Sequence, residues 1–528
     1  MSYDSSKYIN LTQWQGQWVF SGWVVDNILD IDMSGYNTPY ARNFRLEGQS
    51  VVSRPGHQLF ASLTAGSFPK GIGNYLRAST ANDRLIVRHN TDATHKLYTI
   101  DTAGTATSIV TAALIASDNK MRFLNVGDVI YCMNWSDQFG KLSNVTYTQP
   151  ATVPWSFAPA YATAFDGRTF ASGRSTNPNT VYYSVQGNYE DFTNAWTWTL
   201  NAIEQITGLA STNQAIFYFT PDTISVTDKG DIVNTAGTIT YNASYLQTKE
   251  GAVNQDGIVS VGNAVYYISY SNSINKIVRW QNVVGYDTVN LTDRVGKGIS
   301  EFMKTIPAGQ TDCRWYAQQD TNLIHRFFKS SGSTIYDIIV IYDYVHDLFL
   351  IDTNRFFNWW TFFKWKNYSI SCIEPKVFLD EYSYDDQWSA IPFEYRTKYY
   401  YVSGGTFKNT LRESRTLLDV NDLSNITQEI RIDGYLVDTK NLLWINYASD
   451  SPWIGTTSIG TEAIGTEWSD GEDDLNEVIL LRTKGQLNKK GRKIQRRRTM
   501  STVAGRIRLK EVTPRLESLP PQATKLTV

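Results

Sequence analysis

Cysteine, histidine and long apolar runs are all scarce in this sequence, and each scarcity removes a class of answer. The 528 residues hold three cysteines, Cys132, Cys313 and Cys372, too few and too far apart for a disulfide framework or a metal cluster. They read as buried thiols of a protein made in a reducing cytoplasm. The five histidines, His57, His89, His95, His325 and His346, show no ligand spacing of the HExxH kind, so a structural or surface role is expected for each and no metal or cofactor is implied. No stretch approaches the roughly 20 mostly apolar residues of a membrane-spanning helix. The opening MSYDSSKYINLTQWQGQWVF is polar and acidic where a secretory signal would be basic and then apolar, so neither membrane insertion nor classical secretion is expected. Charge of one sign is lacking too: a formal net charge of −2 gives the molecule as a whole no affinity for nucleic acid. Nucleophile-elbow, P-loop and GxGxxG spacings are absent, the glycines of GIGNY (71–75) included.

What the chain has is aromatic residues, 16 Trp, 32 Tyr and 23 Phe, against only 19% charged residues, the balance of a β-rich protein with a large core. From about residue 50 to 400, short alternating runs such as DRLIVRHN, HKLYTIDTAG, QAIFYFTPDTISVTDKG and YDIIVIYDYVHDLFLIDT are parted by Gly-Asp, Asp-Gly and Gly-Asn pairs, which tolerate the positive φ of tight hairpins. The strands group in threes and fours at a loose spacing of 40–55 residues, which suggests radial sheets. The expected fold is all-β: a β-propeller of six or seven divergent blades with a second β-rich domain at the C-terminal side. Residues 51–400 form the propeller and 401–528 a β platform domain, on which residues 1–50 pack as an extension.

RFFNWWTFFKWK (355–366) packs seven aromatic rings into ten positions. Arg355, Lys364 and Lys366 bracket it, so it is no membrane anchor. In a propeller each blade is covered on both faces, and Trp359, Trp360, Phe362 and Phe363 are therefore expected as core. In LTDRVGKGISEFMKTIP, Val295, Ile299, Phe302 and Met303 form one face of an amphipathic helix, capped by Thr292 or Asp293 and ended by Pro307. Beyond 400 the runs lengthen. An Ile-Gly-Thr phrase recurs every five residues from Ile454 to Thr466, a period that fits neither strand nor helix. The segment from Arg492 to Pro514 is expected to fold as a hairpin about Gly505.

Two charged clusters bear on function. TEWSDGEDDLNE (466–477) is acidic, and KGQLNKKGRKIQRRR (484–498) is basic, carrying Lys484, Lys489, Lys490, Arg492, Lys493, Arg496, Arg497 and Arg498. Such polarity marks an interaction surface or a solvated hairpin of balanced charge. The acids of LDEYSYDDQW, Asp380, Glu381, Asp385 and Asp386, would suit a glycosidase acid–base pair, but acid-rich runs beside Ser and Tyr are more often exposed turns, and no catalytic residues are expected.

The order of several phrases resembles a known family. SRPGHQLFASL, then IFYFTPDTISVTD, then LQTKEGAVNQDGIVSVGNAVYYISYSNSINKIVRW precede the helix LTDRVGKGISEFM and NLIHRFFKSSGSTIYDIIVIYDYVHDLFLIDT. Over roughly residues 50–370 this is similar to the tail nozzle proteins of tailed bacteriophages, also called tail accessory factors or packaged-DNA stabilisation proteins. Gly262 to Ser269 and Val340 to Asp343 hold two of the family's phrases, although Tyr267 stands where Trp is usual and the C-terminal domain matches less clearly. The resemblance implies a structural, non-enzymatic virion protein of the tail, made in the host bacterial cytoplasm. It would form a homo-oligomeric ring of six copies below the portal and adaptor (the head-to-tail connector) and contact tail fibre or tail needle proteins. It would narrow the channel, retain packaged double-stranded DNA and conduct it at ejection. Lys489, Lys490, Arg492, Lys493, Arg496, Arg497 and Arg498 would then face DNA in the lumen or dock on the adaptor. The alternative is a glycan-binding or glycan-degrading propeller of the tail.

Overall fold

The computed structural model describes most of residues 40–444, with short interruptions of which 397–408 is the longest, and 478–484, 490–491, 494–502 and 507–518 beyond them. Between residues 56 and 383 the described strands build seven four-stranded antiparallel sheets. These blades span 72–110 (blade 1), 122–148 (blade 2), 161–199 (blade 3), 208–246 (blade 4), 258–290 (blade 5), 314–353 (blade 6) and 357–383 with 56–62 (blade 7). Their first strands are Ile72–Tyr75, Arg122–Val126, Tyr161–Phe165, Gly208–Ser211, Ile258–Val261, Arg314–Gln318 and Phe357–Phe363. Each touches the first strand of the next blade, and the last touches the first, so they line a closed ring. The protein is a β-propeller. Its ring is locked by Gly56–Ser62, which comes from the other end of the propeller's chain segment to serve as the outer strand of blade 7, beside Lys376–Ser383.

Blade 4 shows why the strands read apolar on both faces. In Ala215–Phe219, Ile216 and Tyr218 pack on Tyr161, Phe170 and Tyr183 of blade 3. Phe217 and Phe219 pack on Val265, Tyr267 and Val278 of blade 5. Alternation with period two thus feeds two layers, and the core is a set of such layers between neighbouring blades. The aromatic run obeys the same rule. Phe357–Phe363 is the innermost strand of blade 7, with a register shift between Phe357 and Trp359. Phe357 and Trp360 are buried in the layer toward blade 6, while Phe363 is buried in the layer toward blade 1. Trp359 and Phe362 are half-buried at the edges of those layers. The following turn puts both Lys364 (φ 48°) and Trp365 (φ 63°) in the left-handed region, as a two-residue hairpin loop demands, and leaves Trp365 86% exposed.

The helix Lys297–Thr305 links blades 5 and 6, with Ile299 and Met303 buried and Phe302 half-buried on the face expected for it. Val295 and the capping candidates Thr292 and Asp293 lie outside the described residues. So do Cys313, His346, the acidic segment 466–477 and the Ile-Gly-Thr repeat.

Apart from a two-stranded hairpin, Ile232–Thr235 with Thr238–Tyr241, inserted before the last strand of blade 4, the remaining described strands form two antiparallel sheets drawn from both flanks of the propeller. One orders Tyr40–Arg42, Ile391–Arg396, Ile494–Thr502, Ser424–Ile432 and Tyr435–Trp444. The other orders Phe44–Glu47, Ser50–Ser53, Ile507–Ser518, Asn409–Val420 and Val478–Lys484, with Lys490–Gly491 also on Asn409–Val420. The chain passes repeatedly from one sheet to the other. This corrects the expected hairpin about Gly505: Ile494–Thr502 and Ile507–Ser518 belong to different sheets, because each finds its partners far away in sequence. These sheets meet the propeller at its rim, where Tyr40–Arg42 and Phe44–Glu47 contact Leu348–Thr353, the outer strand of blade 6.

Candidate functional site

The basic run does not form one patch. Lys490 pairs across from Thr410 in the six-stranded sheet, while Arg496, Arg497 and Arg498 lie on a central strand of the five-stranded one. Arg497 stands between Glu429 and Arg396, Arg496 opposite Ile430, and Arg498 between Gln428 and Tyr395. By strand alternation Arg496 and Arg498 share one face and Arg497 the other. The described parts of the run therefore belong to two sheets and do not pair with each other as a hairpin. Lys489, Arg492 and Lys493 fall outside the described residues.

A second charged site is one the sequence did not announce. Where the rim sheets join the propeller, arginines and carboxylates are buried together. Asp352, at the end of blade 6, receives both guanidinium nitrogens of Arg45, at 2.9 and 2.8 Å, and Arg355 at 3.1 Å. Arg355 also donates to Asp380, and Arg54 donates twice to Asp386. His57 Nδ1 lies 2.9 Å from Asp386, its ring edge-on to Phe357 and Phe378. Asn43, held at φ 56°, accepts from Arg54 and from the Thr353 N–H and donates to the Pro392 carbonyl at 2.6 Å, touching all three segments of the junction. Burial alone would raise the Asp352 carboxyl. The charge and hydrogen bonds of Arg45, with Arg54 and Arg355 behind it, overcome this and hold it well below the usual carboxylate range. Asp386 is held equally low against burial, by Arg54 first and then His57. Burial in turn pushes His57 and His325 down, keeping both rings neutral. Asp380 and Asp386 are thus not the exposed turn acids expected. Lys376–Ser383 is an inner strand, and both acids are paired with arginines.

A third site lies at the propeller axis. A cavity of about 370 Å3 opens at the leading ends of the first strands of blades 2–5, lined by Lys120, Arg122, Trp135, Tyr161, Gln205 and Gln255 among others. Lys120 Nζ approaches Asp256 at 2.5 Å, and Arg122 reaches the same carboxylate through Nε (2.6 Å) and Nη2 (2.9 Å). Arg122 opens blade 2 and Asp256 immediately precedes blade 5, three steps apart in a ring of seven, so these ion pairs run across the central opening. Arg122 also donates to the Ala160 carbonyl at 2.7 Å, and its guanidinium lies over the Tyr161 ring. The Gln255 amide pairs with both main-chain groups of Leu209, at 2.7 and 2.8 Å, completing the leading edge of blade 4. Gly173 holds φ 81° against this wall, where a Cβ would meet Ala160 and the Tyr161 ring within 2.7 Å.

Trp135 stands at the rim of the cavity, 38% exposed and at φ 55°. A positive φ is rare for a bulky residue and costs roughly 1–2 kcal/mol. The loop around it is tied down accordingly. Asn134 accepts from the Asp137 N–H at 2.7 Å and donates to the Asp137 carboxylate, which also takes the Ala116 N–H, the Ser117 N–H and the Ser117 hydroxyl. The Trp135 N–H itself donates to the Pro159 carbonyl. The Asn-Trp-Ser-Asp phrase is an Asx-turn signature that sequence reading could have flagged. Lys120, Arg122 and Asp256 carry no comparable signal, being brought together only by ring closure.

Among the described residues no cluster of histidines, cysteines and carboxylates is arranged to hold a metal, and no helix is long and apolar enough to cross a membrane. Cys132 and Cys372 are buried free thiols, the first raised well above its ordinary value by burial.

No family model and no curated protein matches the chain. Among solved structures it is similar to YCF48 bound to D1 peptide (11% identity, TM-score 0.38, covering 62% of this chain and 97% of that one). It is also similar to the extracellular domain of a putative hybrid two-component system from B. thetaiotaomicron (9%, 0.40, 68% of this chain but 43% of that one). A third likeness is to an exo-β-1,3-galactanase from Phanerochaete chrysosporium (10%, 0.28, 79% and 98%). The propeller assignment rests on the closed ring of four-stranded sheets and not on these likenesses.

Proposed function

We propose that this chain is a structural subunit of a bacteriophage tail nozzle: copies form a ring, six in number, below the portal and adaptor. That ring closes the DNA channel, retains the packaged genome, conducts it at ejection and contacts tail fibre or needle proteins further down. The observation that carries the reading most is the junction. Sheets drawn from both flanks of the propeller are pinned to its rim by buried arginine–carboxylate pairs, which suits a part that must bear pressure without hinging. The propeller's own axis is crossed by the Lys120/Arg122–Asp256 pairs, so a conduit for duplex DNA belongs between copies and not through the propeller. The subunit is not an enzyme in this reading, in keeping with the pairing of Asp352, Asp380 and Asp386 to arginines.

A conduit must hold DNA yet let it slide, and each phosphate contact adds sequence-independent, salt-sensitive grip. Splitting the arginines between two faces of a strand suits docking on an acidic surface of the adaptor on one face better than a continuous basic lumen. Charge reversal of Arg496 and Arg498 together tests this against reversal of Arg497 alone. Docking through the shared face gives particles that lack the protein and leak DNA only for the first pair. A lumen role gives normal assembly with altered ejection. The wider reading fails if the protein in intact particles is monomeric, with no cyclic symmetry about the tail axis. A glycan-binding role for the propeller is the second reading, favoured by Trp135 at the axial cavity.

A further inference from the structure

We infer that the axial cavity is a binding subsite for a neutral saccharide, an uncharged pyranose ring laid against Trp135. The inference deepens the glycan reading of the propeller, rests on the cavity alone and stands whether or not the chain builds a nozzle. The volume, about 370 Å3, is at the small end of ligand pockets and suits one or two sugar rings. Trp135 offers a half-open aromatic face at the rim, and its left-handed backbone is held by the Asn134–Asp137–Ser117 hydrogen bonds. Strain maintained by a dedicated network is the mark of a residue placed for contact, and the apolar C–H face of a pyranose is what a fixed indole stacks against.

The hydrogen-bonding capacity left over around the indole suits hydroxyls. Gln205 is exposed, and its amide makes no hydrogen bond to the described residues, which leaves two N–H donors and the carbonyl oxygen for a ligand. Gln255 spends one N–H and one lone pair on Leu209, at 2.8 and 2.7 Å, and keeps one of each. The Thr207 hydroxyl donates to the Ala252 carbonyl at 2.6 Å and can still accept. Donors and acceptors thus stand side by side, and a sugar hydroxyl, itself both, satisfies either kind. An apolar ligand would bury these groups unpaired. The cations of the lining are already engaged, Lys120 and Arg122 by Asp256 and Arg122 also by the Ala160 carbonyl, so the fit is to an uncharged ring. Hydrolysis is not part of the inference, since no carboxylate is among the described residues lining the cavity.

The test titrates the full chain with glucose, galactose, mannose and N-acetylglucosamine, with glucuronic and galacturonic acids, with adenosine and with inorganic phosphate, followed by tryptophan fluorescence and calorimetry. At least one neutral sugar is expected to bind saturably, and at least about tenfold more tightly than adenosine or phosphate. Trp135→Gly should weaken it by about tenfold or more while leaving the melting temperature unchanged or higher, since glycine accepts the positive φ. Gln205→Ala removes an amide that the described fold does not use, and should weaken the same sugar by about threefold or more at an unchanged melting temperature. The inference is overturned if none of the neutral sugars binds, if either variant binds as the parent does, or if adenosine, phosphate or a uronic acid binds more tightly than the best neutral sugar. A printed array of bacterial polysaccharides separates this subsite from the wider glycan reading. Array ligands fully retained by Trp135→Gly overturn the subsite and leave that reading standing, whereas no binding to the array or to any free sugar overturns both.

Discussion

Trp360 and Trp365 sit five residues apart in one hairpin, and truncating the first should cost stability while truncating the second should not. Trp360 is 2% exposed, with its ring 4.3 Å from His325, edge-on to Phe327 at 5.6 Å, and the Arg355 guanidinium 5.0 Å over its face. Burying an indole removes roughly 150–250 Å2 from water, worth about 4–6 kcal/mol at ~25 cal/mol per Å2. Trp360→Ala leaves a cavity that the surrounding blades can only partly close, and the expected loss is about 3–5 kcal/mol. Trp365 is 86% exposed at φ 63° and gives up only an edge contact with Phe362. Trp365→Gly removes the left-handed strain, so stability should stay unchanged or rise by up to about 1 kcal/mol. Urea unfolding followed by far-ultraviolet circular dichroism reads both changes from the shift in midpoint at constant slope. Equal shifts in the two variants, or a loss below about 1.5 kcal/mol for Trp360→Ala, would refute the placement of the Trp360 ring in the layer between blades 6 and 7.

Asp352→Ala leaves the Arg45 guanidinium without its bidentate partner in a buried site and should cost about 3–5 kcal/mol, with little recovery in high salt because buried pairs are poorly screened; full recovery in salt would place the pair at the surface. His57, His89 and His325 are all held below the ordinary 6.5, so the unfolded chain protonates first. Their contribution is complete above pH 6.5 and declines as the pH falls below it, by up to about 1.4 kcal/mol per pH unit for each ring, and His325→Gln should flatten that slope. Asp352 and Asp386, held well below 3.8, act with the same sign in a lower window: their contribution is intact above about pH 4 and is lost in stronger acid. A stability profile level from pH 7 to 4 would contradict the histidine statement, and one level below pH 4 would contradict the aspartate statement. Gly173→Ala should cost more than about 1 kcal/mol, since the residue holds φ 81° and its new methyl would press on Tyr161; calorimetry showing no loss would mean the wall of the axial cavity yields.

The blades were legible because their causes are local. Asp166–Gly167 and Gly262 occupy positive-φ turns between strands that pair in register, which is what such residues at those spacings announce. The helix face through Ile299 and Met303 was equally plain. Long-range pairing was not. Gly505 looked like a hairpin turn because the strands around it are adjacent in sequence, yet their hydrogen-bonding partners lie at 391–396, 424–432 and 409–420. Asp380 looked like a turn acid because its neighbours are acidic and polar, while the deciding fact is Arg355, which reaches it from the blade's innermost strand end. Arg45, Arg54 and Arg355 gave no hint of burial, since arginine is ordinarily a surface residue and only a partnered carboxylate makes its burial tolerable. The axial cavity needed residues from four blades, and nothing in the spacing of Lys120, Trp135, Gln205 and Asp256 links them before the ring closes.

Closure by Gly56–Ser62 also sets a timetable. That strand leaves the ribosome early, and its neighbour Lys376–Ser383 follows some 300 residues later. At roughly 5–20 residues per second the wait is on the order of 15–60 s. Tyr40–Arg42 and Phe44–Ser53 wait longer still, for partners as late as Ile507–Ser518. Blades 1–6 can form in order as they emerge, but the ring stays open and Gly56–Ser62 stays without its blade partner until Lys376–Ser383 has emerged. A nascent chain of this kind is most exposed to mispairing with its own siblings on the same messenger, and a shortage of holding chaperones should show first as aggregates of chains stalled before residue 376.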